Sequence, residues 1–315
     1  MKDVRNIFSH ICKRKDKDGS PNHLSLKTNV ARRLCFGATN KESLTDSVDA
    51  LKFFLILFIC LISVPYFFVQ QQTGTAVLPL NSVLNLQISA NFQMPISAMS
   101  VFNTIVLLIA SLILSAIVTR FPILIGYIIM GFATVYFAGL ESMRLRDVSL
   151  RGFFLQKVAN KTYRASLISV FWQSPNYILI GLSEWFVILN TMEIIISYAP
   201  TKIKTLSMGL IYAANGTAFL MGSIITKVAS ATLGQVKWLS DDVNEGHWDY
   251  YFYVLAAFIF MFCLIITLIM RWINRLMMDI NTLQRALQQY DKQPHEKVYE
   301  FNIQNGKGSN EISKF

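Results

Sequence analysis

A glutamate stands well inside a strongly apolar stretch of this chain: Glu184, within Ser174–Ile188 (SPNYILIGLSEWFVI). A carboxyl inside a lipid-crossing helix is costly and usually faces a cavity or a partner. The chemistry open to it is capture of an amine or a proton. The competing reading is a structural carboxyl, hydrogen-bonded inside a bundle. Asn103 stands in Val101–Leu108 (VFNTIVLL), where an amide can bind a ligand or join two helices; as helix glue it is worth about 0.6 kcal/mol. Gln70, Gln71 and Gln72 follow Pro65-Tyr66-Phe67-Phe68-Val69, and their amides either line a mouth or are simply wet. Two other glutamates read as ordinary: Glu193 as the partner of Lys202 or Lys204 in the following turn, and Glu141 as a boundary carboxylate beside Arg144 and Arg146.

The elements that position these residues are long apolar runs. Of 315 residues, 53% are hydrophobic and 15% charged, with a mean hydropathy of +0.41; soluble domains carry about 25% charged residues. Six apolar segments run near Ala50–Val69, Ile96–Thr119, Phe121–Leu140, Ser166–Ile196, Leu206–Val228 and Tyr250–Ile273. Each suffices for the ~20 helical residues that cross a bilayer. The fourth is over-long, and Pro175 is its expected kink. Ala214, Ala218 and Gly222 form a small-residue stripe on the fifth, which lets helix backbones approach closely. The predicted organisation is a basic N-terminal tail over 1–49, a six-helix bundle over 50–273 and a C-terminal tail over 274–315. In the C-terminal tail, Ile280, Leu283 and Leu287 are spaced for a short amphipathic helix.

The net charge of +10 has a topological reading. Ten Lys and Arg residues precede Ala50 and seven lie from Arg271 onward, while the first loop, Gln70–Pro95, has no charge. The positive-inside rule then places both termini in the cytoplasm. The third loop dissents, with Arg144, Arg146, Arg151, Lys157, Lys161 and Arg164 on the outer side. That loop also carries a glycosylation sequon, Asn160-Lys161-Thr162; a second, Asn215-Gly216-Thr217, lies inside a span. The basic excess does not point to nucleic acid. Walker-type, HExxH, GxSxG and CxxC motifs are absent from the sequence, so neither an enzyme nor a cofactor or metal is indicated.

Several stretches together resemble the proton-coupled oligopeptide transporter family of the major facilitator superfamily. The matching positions in the fourth segment are Phe171, Trp172, Gln173, Pro175, Tyr177, Gly181, Glu184, Glu193, Ala199 and Pro200. Met208–Ser223, Trp238–Ala257, Gln72-x-Gly74-Thr75 and Phe102-Asn103 are similar in the same order. Ala138–Leu145 (AGLESMRL) points to the peptide/histidine branch of solute carrier family 15. The resemblance implies an all-α integral membrane fold, a six-helix bundle equivalent to the C-terminal half of a major-facilitator transporter. It implies a proton-coupled symporter of di- and tripeptides or histidine, in a plasma or endolysosomal membrane and working by alternating access. In that reading Glu184 meets the substrate's amino end, Asn103 assists, Tyr66 and Phe67 line the pocket and Gln72 serves an outer gate. The partners would be peptide or histidine, protons, the lipid bilayer and a second six-helix half or another copy of the chain. The family's ExxER motif is absent from this sequence; the alternative reading is therefore a non-transporting relative acting as a membrane scaffold or regulatory partner.

Overall fold

The computed structural model describes residues 41–89, 92–113, 122–158, 160–232, 239 and 243–291. Most of the expected N-terminal tail, and the C-terminal tail beyond 291, lie outside them. The main elements are α1 (Lys41–Ser82), β1 (Gln87–Ser89), β2 (Phe92–Gln93), α2 (Ser100–Ile113), α3 (Pro122–Arg151), β3 (Phe154–Val158), β4 (Lys161–Ala165), α4 (Ser174–Glu184), α5 (Asn190–Tyr198), α6 (Lys204–Thr232) and α7 (Trp248–Asp291). Among the described residues, six helical stretches are long and apolar enough to cross a membrane: Val48–Ser82, Ile96–Ile113, Pro122–Arg151, Val170–Tyr198, Lys204–Val228 and Trp248–Met278. Phe53–Met270 forms one compact unit and holds the bundle; the first turns of α1 and the end of α7 belong to another. In that second unit α7 stays helical to Asp291, so the segment expected as a short separate helix continues the sixth span's helix.

A lipid-crossing chain satisfies its backbone internally, which favours uninterrupted helices. Hydroxyls inside the spans do likewise: Ser63 donates to the carbonyl of Ile59 and Thr73 to that of Val69, both at 2.9 Å. The core holds Tyr66, Phe67, Tyr127, Met130, Phe137 and Phe252. Phe137 and Phe252 meet edge to face at 4.5 Å between ring centres. Leu108, Leu112, Leu220, Ile224, Leu264 and Leu268 are exposed, as side chains that face lipid are.

Three expected boundaries are corrected. The first helix runs through Gln70–Gln72 to Ser82, with Pro65 and Pro79 inside it. The third helix continues past Leu140 to Arg151, so Glu141 and Arg144 are helical and buried rather than in a loop. Pro175 does not kink the fourth span. It sits in the first turn of α4, where its missing N–H costs nothing. The irregularity comes ten residues later, where Trp185–Leu189 forms a π-helical turn between α4 and α5. Such a turn frees backbone carbonyls, and the Asn190 amide donates to that of Trp185 at 3.2 Å. The side chains of this turn pack inward: Trp185 and Phe186 form a cluster with Ala110 of α2. Gly126 of α3 lies so close that an added Cβ would meet the Phe186 Cβ at 3.0 Å. The small-residue stripe of α6 also faces inward, with Ala214, Ala218 and Gly222 all buried.

Connections at one end of the bundle are tied together. β1 and β2 form one hairpin, and β3 and β4 another, paired from Phe154↔Ala165 to Val158↔Lys161. Asn85, in the first connection, bridges Ser169, in the third. Gln156 of β3 reaches in: its amide donates to the carbonyls of Ser82 at 2.8 Å and Leu84 at 2.7 Å, and its oxygen accepts from the Leu86 N–H at 3.3 Å.

Candidate functional site

The polar residues of α1 are consecutive, and each α-helical step rotates by about 100°. Gln70, Gln71 and Gln72 therefore address three different neighbours. Gln70 Nε2 donates to Glu184 Oε1 at 2.6 Å. Gln71 Nε2 donates to Asn215 Oδ1 of α6 at 3.1 Å. Gln72 Oε1 accepts from Thr226 of α6 at 3.0 Å and Tyr251 of α7 at 2.7 Å.

Glu184 is the centre of the site. It closes α4 at the step into the π-helical turn. Its second oxygen accepts from Asn103 Nδ2 at 3.2 Å. Asn103 reaches it because α2 lies directly on Gly181, where an added Cβ would sit 2.7 Å from the Asn103 carbonyl oxygen. One residue before Glu184, the Ser183 hydroxyl pairs with that of Tyr66 at 3.0 Å. Tyr66 and Gln70 are four apart and so share one face of α1; that face meets Ser183 and Glu184.

Two neutral amides thus hold the half-buried Glu184 carboxyl. Among the described residues no Lys, Arg or His comes within ion-pair distance of it. Gln70 Oε1 and Asn103 Oδ1 are buried with no hydrogen-bond partner among the described residues. An amine brought here would find a carboxyl and two amide oxygens, the acceptors an ammonium group needs.

The structure thus gathers Glu184, Asn103 and, through Ser183, Tyr66. Phe67 is fully buried, edge to face with Tyr66 at 5.8 Å. Gln72 belongs to a separate polar cluster beside a cavity of about 220 Å³, lined also by Thr75, Ala76, Thr226, Leu239, Trp248 and Tyr251. Sequence reasoning missed Gln70 as a partner of Glu184; its four-residue spacing from Tyr66 was the available signal. Glu193 is exposed and is not one of the hydrogen-bond partners of Glu184. Glu141 differs from its expectation: it is buried and accepts from Arg144 Nε at 2.8 Å and Nη2 at 2.6 Å. Arg144 also donates to Asn244 Oδ1 and to the Val243 carbonyl, which ties the lead-in of α7 to α3.

The sequence profile of the POT family (PTR2) matches residues 2–239. The chain belongs to the POT family. Members of the family are transporters rather than enzymes. The matched region takes in the basic N-terminal stretch and five of the six spans. The chain is 26% identical over 223 residues to Protein NRT1/PTR FAMILY 8.2 of Arabidopsis thaliana, covering 65% of this chain and 38% of that relative. It is 32% identical over 130 residues to Solute carrier family 15 member 3 of Rattus norvegicus, covering 40% of this chain and 22% of the relative. A crystal structure of an auto-inhibited POT family peptide transporter shares the fold, with a TM-score of 0.52 at 18% identity over 71% of this chain and 42% of that one. This POT-family chain is thus an integral membrane protein, with six apolar spans among its described residues, and it matches less than half the length of these relatives.

Proposed function

We propose that this chain supplies the amine-binding half of a proton-coupled transporter for small peptides. The observation that carries this reading is the Glu184 carboxyl, held by Gln70 and Asn103 with no cation beside it among the described residues. Glu184 receives the substrate's amino end, with Asn103 and Gln70 turning their free amide oxygens toward it. Tyr66 and Phe67 form the wall behind these groups, and Gln72 serves the outer gate. Histidine is a second candidate substrate, since it presents the same α-amine. Alternating access then requires a second six-helix half packed against this one. The proposed orientation has both termini in the cytoplasm of a plasma or endolysosomal membrane, as the two basic tails favour.

The test is uptake of a labelled dipeptide, and of histidine, into proteoliposomes under an imposed proton gradient. Wild type is expected to take up peptide, and Glu184→Gln to lose most of that uptake. Equal uptake by the two overturns the assignment of Glu184. Peptide binding by wild type without uptake, whatever second half is supplied, favours the scaffold reading.

A further inference from the structure

We propose that Asn160, at the tip of the β3–β4 hairpin, is an N-glycosylation site. The sequence holds two sequons, and the structure separates them. Asn215-Gly216-Thr217 lies in the middle of α6, inside a candidate span, and its Asn215 Oδ1 accepts from Gln71. Asn160 and Lys161-Thr162 are exposed, at the turn and on the first positions of β4. The pairs Val158↔Lys161 and Lys157↔Thr162 close the hairpin just behind it. No hydrogen bond engages the Asn160 side chain among the described residues.

The hairpin suits the reaction. Its anchors lie behind the tip: Gln156, in the central pair of the ribbon, bonds the end of α1, and Asn244 donates to the carbonyl of Arg164, nearer the base, at 3.0 Å. The tip belongs to a lone two-stranded ribbon, which by itself is only marginally stable in water. It can therefore open into the extended acceptor that a glycosyl transferase binds. A charged segment of α3, Glu141–Arg151, and then β3 separate it from the apolar run ending at Leu140. In the step, Asn160 Nδ2 forms a bond to the first sugar carbon of a lipid-diphosphate-linked oligosaccharide. The bond from that carbon to the diphosphate oxygen breaks, the lipid diphosphate leaves and the amide gives up a proton.

The inference rests on the proposed cytoplasmic placement of both termini, which puts the hairpin on the opposite face of the membrane. The six basic residues of this connection argue against that placement, but the two tails outnumber them, with ten Lys and Arg before Ala50 and seven from Arg271 onward.

The experiment expresses the full chain, epitope-tagged, in a eukaryotic secretory system and treats it with a peptide N-glycosidase. Wild type is expected to shift by one glycan step. Asn160→Gln and Thr162→Ala should abolish the step, Thr162→Ser should keep it and Asn215→Gln should leave it unchanged. As a reporter of sidedness, Gln93→Thr completes a sequon that begins at Asn91 in the first connection. That connection lies at the same end of the bundle through the Asn85–Ser169 bridge. A step gained by Gln93→Thr with none at Asn160 overturns the site but keeps the orientation. No step in either overturns both, and a step that survives Asn160→Gln overturns the site.

Discussion

Glu141 and Glu184 both sit in apolar membrane helices, and their surroundings are opposite. Glu141 is 3% exposed and paired through both oxygens with an arginine three residues along the same helix, itself 1% exposed. That arginine spends two further donors on Asn244 and the Val243 carbonyl. Glu184 is more open and has two amides from other helices, each with its own oxygen unpartnered. One carboxyl completes a closed net that fastens a helix to the lead-in of another. The other belongs to a set of acceptors with no donor of positive charge among the described residues. The difference teaches that a place in a membrane-crossing helix does not by itself identify a binding carboxylate; what its partners leave unfinished does.

The comparison breaks most visibly at Glu141. Glu141→Gln leaves the Arg144 guanidinium buried without its counter-charge, a change that costs about 3–5 kcal/mol in buried pairs. The expected result is a large drop in the thermal midpoint of the purified chain in detergent, or failure to recover it. Replacing both partners, Glu141→Leu with Arg144→Met, should cost less than either single change, because no charge is left stranded. A melt of Glu141→Gln that matches wild type would remove the structural half of the contrast.

The two sites were not equally legible in the sequence. Lipid imposes composition, so the six spans and the isolated Glu184 stand out against their apolar surroundings. Asn103 was visible for the same reason. Glu141 and Arg144 were hidden by their position: charges just past Leu140 look like the edge of a span. Only the helical continuation to Arg151 puts them three residues apart on one turn. Gln70–Gln72 misled in the same way, since a run of glutamines carries no mark of where a helix ends. The π-helical turn at Trp185–Leu189 left no trace either, because aromatic and β-branched residues are ordinary in any span. Pro175 drew the kink to itself by residue type, although a proline in a first helical turn bends nothing.

A second pair of changes separates the sites through backbone packing. At Gly181→Ala the new methyl would press on the Asn103 side-chain oxygen and lie 2.7 Å from its backbone carbonyl. A backbone cannot swing aside as a side-chain end can, so α2 and α4 must part. Overpacking of this kind costs about 1–3 kcal/mol, and it should also weaken the Asn103–Glu184 contact. Gly139, two residues before Glu141, has nothing within 4 Å of an added Cβ. Gly139→Ala is expected to be neutral or to stabilise α3 by up to about 1 kcal/mol through helix propensity. Thermal melts of the two variants side by side check this. Equal melts would mean that the α2–α4 contact at Gly181 yields without cost.

Of the two carboxylates, the smaller stability effect should come from the one with the larger functional role. Glu184→Gln keeps the shape of the side chain and exchanges one acceptor oxygen for an NH2 group. The remaining oxygen can still accept from Gln70 or Asn103. The new donor has an acceptor waiting, because both neighbouring amides carry a buried oxygen without a partner and either can turn to present it. Hydrogen bonding is therefore conserved while the negative charge is lost, and no buried cation among the described residues is left behind. The expected change in stability is under about 1 kcal/mol, within the ordinary worth of one hydrogen bond. A dipeptide should nevertheless stabilise wild type against heat and fail to stabilise the variant, since the amine has lost the charge that offsets its desolvation. If Glu184→Gln melts as early as Glu141→Gln, the two carboxylates are both structural and the contrast between them is only one of geometry. If it melts with wild type and has lost the peptide-dependent shift, the carboxyl that the fold leaves unfinished is the one that binds.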